Sequence, residues 1–554
     1  MIPLAAIALV SLIGGAYLGA TSGSKKLGED FASRWGDKDY SGMYDLITPE
    51  AQTEYSREEF RAAYEEAAIA ATTEGVDPGR AGRAPGGDVK VSVSASTRLF
   101  GNVDGDISLP VKDGRIDWGP HLTFPGLQPG ERVGRKLVLG ERAPILAADG
   151  STLASGQGDT RISDAPDVTG AMGIPEPELA PQIEEEGFPA DQPTGVSGLE
   201  RSLNTVLGGK PGGDLLAVPE GTELPDVPDS VEGRVLASSK AQPGKPVNTT
   251  IDPALQESVV SAMAGVNGGA VLLNARSGAV KAVAGFGYST PQPPGSTFKI
   301  VTTTAALDNN LVRLDDYFAP VQSVEILGHD LSNAHDETCG GNFTDSFAKS
   351  CNTVFAPLGM EIGEEELIAT SEEFGFNSPP TLFDPQYVED GGIPSSTIPN
   401  PIGDELQVAS SAIGQGEVLA TPLEMASVAQ TIAMGGVRSP TPIVSDEDLL
   451  SDAKPVRVMP KEDAAVIKSL MESVVNYGTG YLAAVDGAQV AGKTGTAELG
   501  IGEGENALLD AWFNAFAPSD NPKYAVAVLV ASTTEDGGEV AAPIASAILS
   551  AALE

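Results

Sequence analysis

The chain has 554 residues, with 77 Asp and Glu against 34 Lys and Arg, giving a formal net charge of −43 at pH 7. That length leaves room for three or four domains, and the acidity argues against nucleic acid as a partner, because phosphate binding needs basic patches. Three histidines (His121, His329, His335) and two cysteines (Cys339, Cys351) argue against a Cys/His zinc centre. No metal or cofactor is expected; a Ser-His-Asp triad is possible but poorly supplied, so a serine nucleophile here is expected to use another base.

Residues 2–24 carry no charge and most of 2–20 are apolar, enough to span a bilayer as a helix. A cleaved signal peptide is the rival reading, but the basic head that usually opens one is absent, and Lys25 and Lys26 follow the apolar run. We expect residues 1–22 to be a single membrane anchor or signal segment, with the rest of the chain on the extracytoplasmic side. An exported location would permit Cys339 and Cys351 to pair; two free thiols is the alternative.

Residues 24–71 read as helical. Leu27, Phe31 and Trp35 recur every four residues and share one face, and Ser56 with Glu59 makes a capping box before Phe60 and Tyr64. A Gly/Pro-rich break covers 75–87. "VKVSVSAS" (89–96) alternates with the period of a half-buried strand, and "ISLPV" and "RIDW" flank a Lys112-Asp113-Gly114 turn. Helices followed by strands predict a small α+β domain over 23–137. Residues 138–245 look like a loosely built connector, with a hairpin at 142–156, an acidic, proline-rich, linker-like stretch at 175–193 and a short helix at 198–213. From 246 to 554 the texture is that of a large domain. "GAVLLNARSGAVKAVAG" (269–285) reads as two strands around Ser277-Gly278, and "QVAGKTGTAE", "DAWFNAFAPSD" and "YAVAVLVAS" as three more before a helix at 543–553. The order suits an antiparallel sheet with helices on both faces.

Three short motifs carry chemistry. In "PPGSTFKI" (293–300) the breakers Pro293, Pro294 and Gly295 place Ser296 at a helix mouth, where unpaired N–H groups favour developing negative charge. Lys299, one turn on, shares its face; it is a base only when neutral, so burial or a nearby cation must lower its pKa from about 10.4. In "KSCNTVFAPLG" (349–359), Ser350 and Asn352 can point to one cavity. In "AGKTGTAE" (491–498), Lys493, Thr494, Gly495 and Thr496 offer a cation, two hydroxyls and a backbone that substrate can approach closely beside the glycine. Each motif alone is weak. Their order, with 54 and 143 residues between the leading serines and the lysine, is what makes them specific.

This ordered set resembles the penicillin-recognising serine acyltransferases. With "IGQGEVLATPLEMA" (413–426) and "GTGYLA" (478–483), residues 246–554 resemble the transpeptidase domain of class B penicillin-binding proteins, monofunctional peptidoglycan D,D-transpeptidases with a serine β-lactamase-like fold. The N-terminal part, through "HLTFPGLQPGE" (121–131), is similar to the NTF2-like α+β domain of some members, and 138–245 to their pedestal or dimerisation region.

The resemblance implies a multidomain α+β chain that cross-links cell-wall peptidoglycan. Ser296 would attack the D-alanyl-D-alanine of a stem peptide, Lys299 would take its proton, and the Ser296 and Thr496 N–H groups would form the oxyanion hole. Ser350 would relay a proton to the leaving D-alanine. Asn352 would hold the substrate amide, and Lys493, Thr494 and Thr496 would receive the terminal carboxylate, with Gly495 opening the strand edge. β-Lactam antibiotics would acylate the same serine. A membrane glycan polymerase and other proteins of the division or elongation machinery are the implied partners. A serine β-lactamase or a β-lactam sensor shares the motifs, but no class A deacylation glutamate motif lies between Ser350 and Lys493 and no signalling module is visible.

Overall fold

The computed structural model describes residues 23–84, 88–228, 230–501 and 507–554. The expected anchor at 1–22 lies outside them; among the described residues no helix is long and apolar enough to cross a membrane.

The N-terminal region opens with a helix over 23–36, followed by Tyr40–Tyr44, Pro49–Glu54 and Arg57–Ala71. The last begins in the reciprocal Ser56/Glu59 capping box. Phe31 and Trp35 are buried with Phe60 and Tyr64, and the Trp118 indole donates to the Tyr64 hydroxyl at 3.2 Å. These aromatics close the helices onto an antiparallel sheet of Thr73–Arg83, Val89–Thr97 and Gly101–Leu109. As far as Arg83, the Gly/Pro-rich stretch read as a break over 75–87 is therefore a strand, and residues 85–87 lie outside the described residues. Pro78 has no N–H to give a ladder, but Thr73–Arg83 is an edge strand and its register slips between Pro78 and Ala81, so the missing donor is tolerated.

The connector is more tightly built than its composition suggests. Strand Glu131–Val138 pairs along its whole length with Gly212–Pro219, so the boundary expected at 137/138 falls at the end of a strand that belongs to the connector. In the acidic stretch read as a linker, Ala180–Glu185 is helical and Ile183 and Phe188 are buried. The single helix expected at 198–213 is two, Gly198–Ser202 and Asn204–Gly208. Leu199 and Leu207 on these helices and Leu203 between them join one apolar cluster with residues of the C-terminal region, and Val247–Asn248 pairs in parallel with Ile145–Leu146. Apolar burial without a break across 245/246 stitches the connector to the C-terminal region.

The C-terminal region is organised by a five-stranded antiparallel sheet, in spatial order Val280–Gly285, Gly268–Asn274, Tyr524–Thr533, Leu509–Ala517, Ala491–Glu498. Strand alternation sends Trp512, Phe516 and Leu529 to one core and Phe513, Ala515 and Val528 to the other. Pro422–Ala433 covers the first face, while Ala541–Leu553 and Pro253–Ala262 cover the second. Both faces being buried explains why Leu509–Ala517 and Tyr524–Thr533 read as largely apolar runs, whereas Ala491–Glu498, at the edge, carries Lys493, Thr494, Thr496 and Glu498. Ala491–Glu498 is one of the two edge strands, and the three sequence motifs gather against it.

Candidate active site

The PPG segment forms a 3-10 turn, Gly295–Phe298, leading into the helix Lys299–Asp308. Three residues complete one turn of a 3-10 helix, so Ser296 and Lys299 stack along one side. Glycine is required at 295: its φ is +51°, and a Cβ there would lie 2.6 Å from the Thr496 carbonyl oxygen. On the other side the Gly295 N–H donates to the Gly414 carbonyl at 2.9 Å. Gly414 has φ +73°, and its Cβ would meet the Gly295 oxygen at 2.0 Å. The Trp512 indole donates to the Pro293 carbonyl at 2.8 Å. A Cβ on Gly495 would strike the Pro294 oxygen at 2.6 Å. The serine turn is thus clamped between the "IGQG" loop and the sheet edge, and Gly495 allows this internal packing.

Two buried lysines form the floor. Lys299 Nζ donates to the Ser350 carbonyl at 2.8 Å, to Ser350 Oγ at 3.2 Å and to Asn352 Oδ1 at 2.6 Å. Lys493 Nζ donates to Ser350 Oγ at 2.9 Å and to the Thr494 carbonyl at 3.0 Å. Both side chains are fully buried, and neither meets a carboxylate among the described residues. The faces of Phe355 and Phe347 lie 5.3 and 5.7 Å from the two nitrogens. Burial pushes the Lys299 ammonium well below the usual lysine range, and the Lys493 charge acts in the same direction; burial pushes Lys493 down to about 7. The physical cause is desolvation without a counter-charge.

Ser350 sits between the amines with φ +61°, a left-handed conformation that is costly for a residue with a Cβ. It follows the helix Phe343–Ala348 and precedes Asn352–Ile362. Cys351, between Ser350 and Asn352, is joined to Cys339 on the strand Cys339–Asn342. Ser296, Ser350, Asn352 and Thr496 are each partly exposed, so hydroxyls and amide line an accessible surface above the amines.

The expected residues converge, but several of their contacts differ from the expectation. The Ser296 hydroxyl makes no hydrogen bond among the described residues, while the three polar contacts of Lys299 Nζ are to Ser350 and Asn352, of which a neutral amine donates two. Asn352 has both ends of its amide engaged, since its Nδ2 donates to the Ser332 carbonyl at 3.0 Å. Thr494 shares its hydroxyl with Thr479 at 2.6 Å. Thr496 donates to Asp536 at 3.1 Å. Motif spacing places a residue on a face but does not report which acceptor lies nearest. Gly414, Thr479, Trp512 and Asp536 were not singled out from the sequence. The "IGQG" and "GTGYLA" stretches carried a signal for the first two; nothing local marks Trp512 or Asp536.

Residues 268–550, about half of the chain, match the family described as the penicillin-binding protein transpeptidase domain. The chain belongs to this family. Peptidoglycan D,D-transpeptidase PbpA of Mycolicibacterium smegmatis is 37% identical over 278 residues, covering 47% of this chain and 55% of that protein. Penicillin-binding protein PbpB of the same organism is 30% identical over 405 residues, covering 63% of this chain and 60% of that protein. The matches therefore span little more than half the length of these relatives. Among solved structures, penicillin-binding protein A from M. tuberculosis, as its ceftriaxone acyl-enzyme complex, superposes with a TM-score of 0.58 at 25% identity over 75% of this chain and 99% of that one. The D,D-transpeptidase domain of a peptidoglycan glycosyltransferase from Eggerthella lenta gives 0.57 at 26% identity, over 75% and 98%.

Proposed function

We propose that the chain is a peptidoglycan D,D-transpeptidase that works through an acyl-enzyme on Ser296 and is acylated by β-lactams at the same atom. The observation that carries this reading is the pair of buried, carboxylate-free lysines meeting at Ser350 Oγ beside a clamped serine turn. A neutral Lys299 amine has a lone pair. It takes the Ser296 proton as Oγ attacks the penultimate D-alanine carbonyl, and the C–N bond to the terminal D-alanine then breaks. Ser350, in contact with both amines, carries a proton from Lys299 to the departing amine. Asn352 holds Lys299 in place and lies where the substrate amide would run. Ser296 and Thr496 are brought together by the Gly295 contact, on an edge strand whose alternate N–H groups face out of the ladder, which suits an oxyanion hole. Lys493 supplies the positive charge for the terminal carboxylate, with the Thr494 and Thr496 hydroxyls beside it.

The amine of a neighbouring stem peptide completes the cross-link. The region ahead of strand Glu131–Val138 serves as an NTF2-like spacer, and that strand with the rest of the connector through 245 as a pedestal for the catalytic region over 246–554. Residues 1–22 anchor the chain with its bulk outside the membrane, a setting in which the Cys339–Cys351 bond persists. Labelled penicillin tests the core of this reading: the adduct mass should map to Ser296 and vanish in Ser296→Ala. Turnover of that adduct within seconds would instead make the protein a β-lactamase.

A further inference from the structure

We propose that His335 and Asp536 form a charge gate at the carboxylate-recognition edge of the site, which admits a substrate's terminal carboxylate while His335 is protonated. This rests on the acyl-enzyme reading above and adds a specificity element outside its motifs. The Thr496 hydroxyl has one proton, and it is donated to Asp536 Oδ1 at 3.1 Å. The Gly537 N–H approaches the same oxygen of Thr496 at 3.4 Å. The other carboxylate oxygen of Asp536 lies 2.5 Å from His335 Nε2.

The pair links two segments that lie beside the site. His335 lies in the turn Ala334–Asp336 with φ +53°. That turn is bound to the lysine wall: the Asn333 side chain donates to the Val321 and Glu337 carbonyls and accepts from Thr353, and Asn352 donates to Ser332. Asp536 belongs to the loop between Tyr524–Thr533 and Ala541–Leu553, pressed on the sheet edge so closely that a Cβ on Gly537 would lie 2.3 Å from the Gly495 oxygen.

A carboxylate arriving at Thr496 needs the proton that Asp536 holds and meets a second anion one hydroxyl away. Two carboxylates on one hydroxyl repel. Protonated His335 neutralises Asp536, and neutral His335 leaves it bare. The groups facing His335 are Asp536 and Glu539 from the C-terminal loop and Glu337 from its own. The Asp536 hydrogen bond and charge raise its pKa above the ordinary histidine value, both glutamates add to this, and partial burial opposes it. The charged form therefore prevails below that raised value and is lost as pH rises through it.

The test uses the full chain and two thioester acyl donors, one ending in a free carboxylate and the other in its methyl ester. The reading is the ratio of their acylation rates across the neutral pH range; protonation of Lys299 affects both donors and cancels. Lys493 also binds the carboxylate and titrates in this range, so the variants are compared with wild type at each pH. Asp536→Asn should raise the ratio about two- to fivefold on the alkaline side, and His335→Gln should lower it by a similar factor on the acid side, as for partly solvated charges. An Asp536→Asn ratio equal to wild type at every pH would overturn the gate. So would variants that slow both donors alike, because the pair would then only brace the loop. Failure of wild type to be acylated by either donor would instead sink the serine acyl-enzyme reading.

Discussion

Replacing Lys493 with methionine should move the acid limb of acylation to higher pH. Lys299 and Lys493 reach the same Ser350 oxygen at 3.2 and 2.9 Å, so their nitrogens lie no more than about 6 Å apart. Two unit charges at that separation repel by about 3 kcal/mol at an effective dielectric of about 20. At pH values where Lys493 is charged, that repulsion helps to keep Lys299 neutral. Removing it should lower the neutral Lys299 fraction on the acid limb about 100-fold, since each 1.4 kcal/mol is a factor of ten. Wild type should show a bell: rates rise as Lys299 deprotonates and fall above about pH 7 as Lys493 loses its charge. In Lys493→Met the fall should vanish and the rise should shift upward. The assay is the second-order rate constant for a fluorescent penicillin as a function of pH. The overall rate will also drop with weaker carboxylate binding, but the position of the limb does not depend on that amplitude. An acid limb at the same pH in both proteins would refute coupling between the amines.

The same substitution should raise the melting temperature at pH 7. Lys493 is held at about 7 when folded and returns to the ordinary lysine value when unfolded, so its burial opposes folding most at and below pH 7, and the gain from methionine should shrink as pH approaches about 10. Gly414→Ala should cut penicillin acylation by a hundredfold or so, because its Cβ would meet the Gly295 oxygen at 2.0 Å and displace the serine turn by a few tenths of an ångström or more; circular dichroism should show the fold retained. Replacing Cys339 and Cys351 with serine removes a link across a sequence separation of 12. It should cost about 2–3 kcal/mol in chemical denaturation and slow acylation, since Cys351 adjoins both Ser350 and Asn352.

Local chemistry made much of this protein readable along the chain. Strands buried on both faces announce themselves as apolar runs, and the Ser56/Glu59 box marks its helix because a cap is a four-residue affair. The three motifs singled out candidate reactive residues because each needs a particular side chain at a short fixed spacing. The errors arose where distant chain supplied the missing interaction. The stretch around Pro78 became a strand because a neighbouring strand offered an edge position. The acidic connector packed because its few apolar residues, Ile183 and Phe188 among them, found burial. Contacts of long sequence separation were invisible for the same reason: Gly414 against Gly295, Lys493 on Ser350, and His335 with Asp536, 201 residues apart. Residue identity and spacing specify which groups can react. Burial and partner choice specify their protonation and aim, and these arise only when remote segments exclude water together.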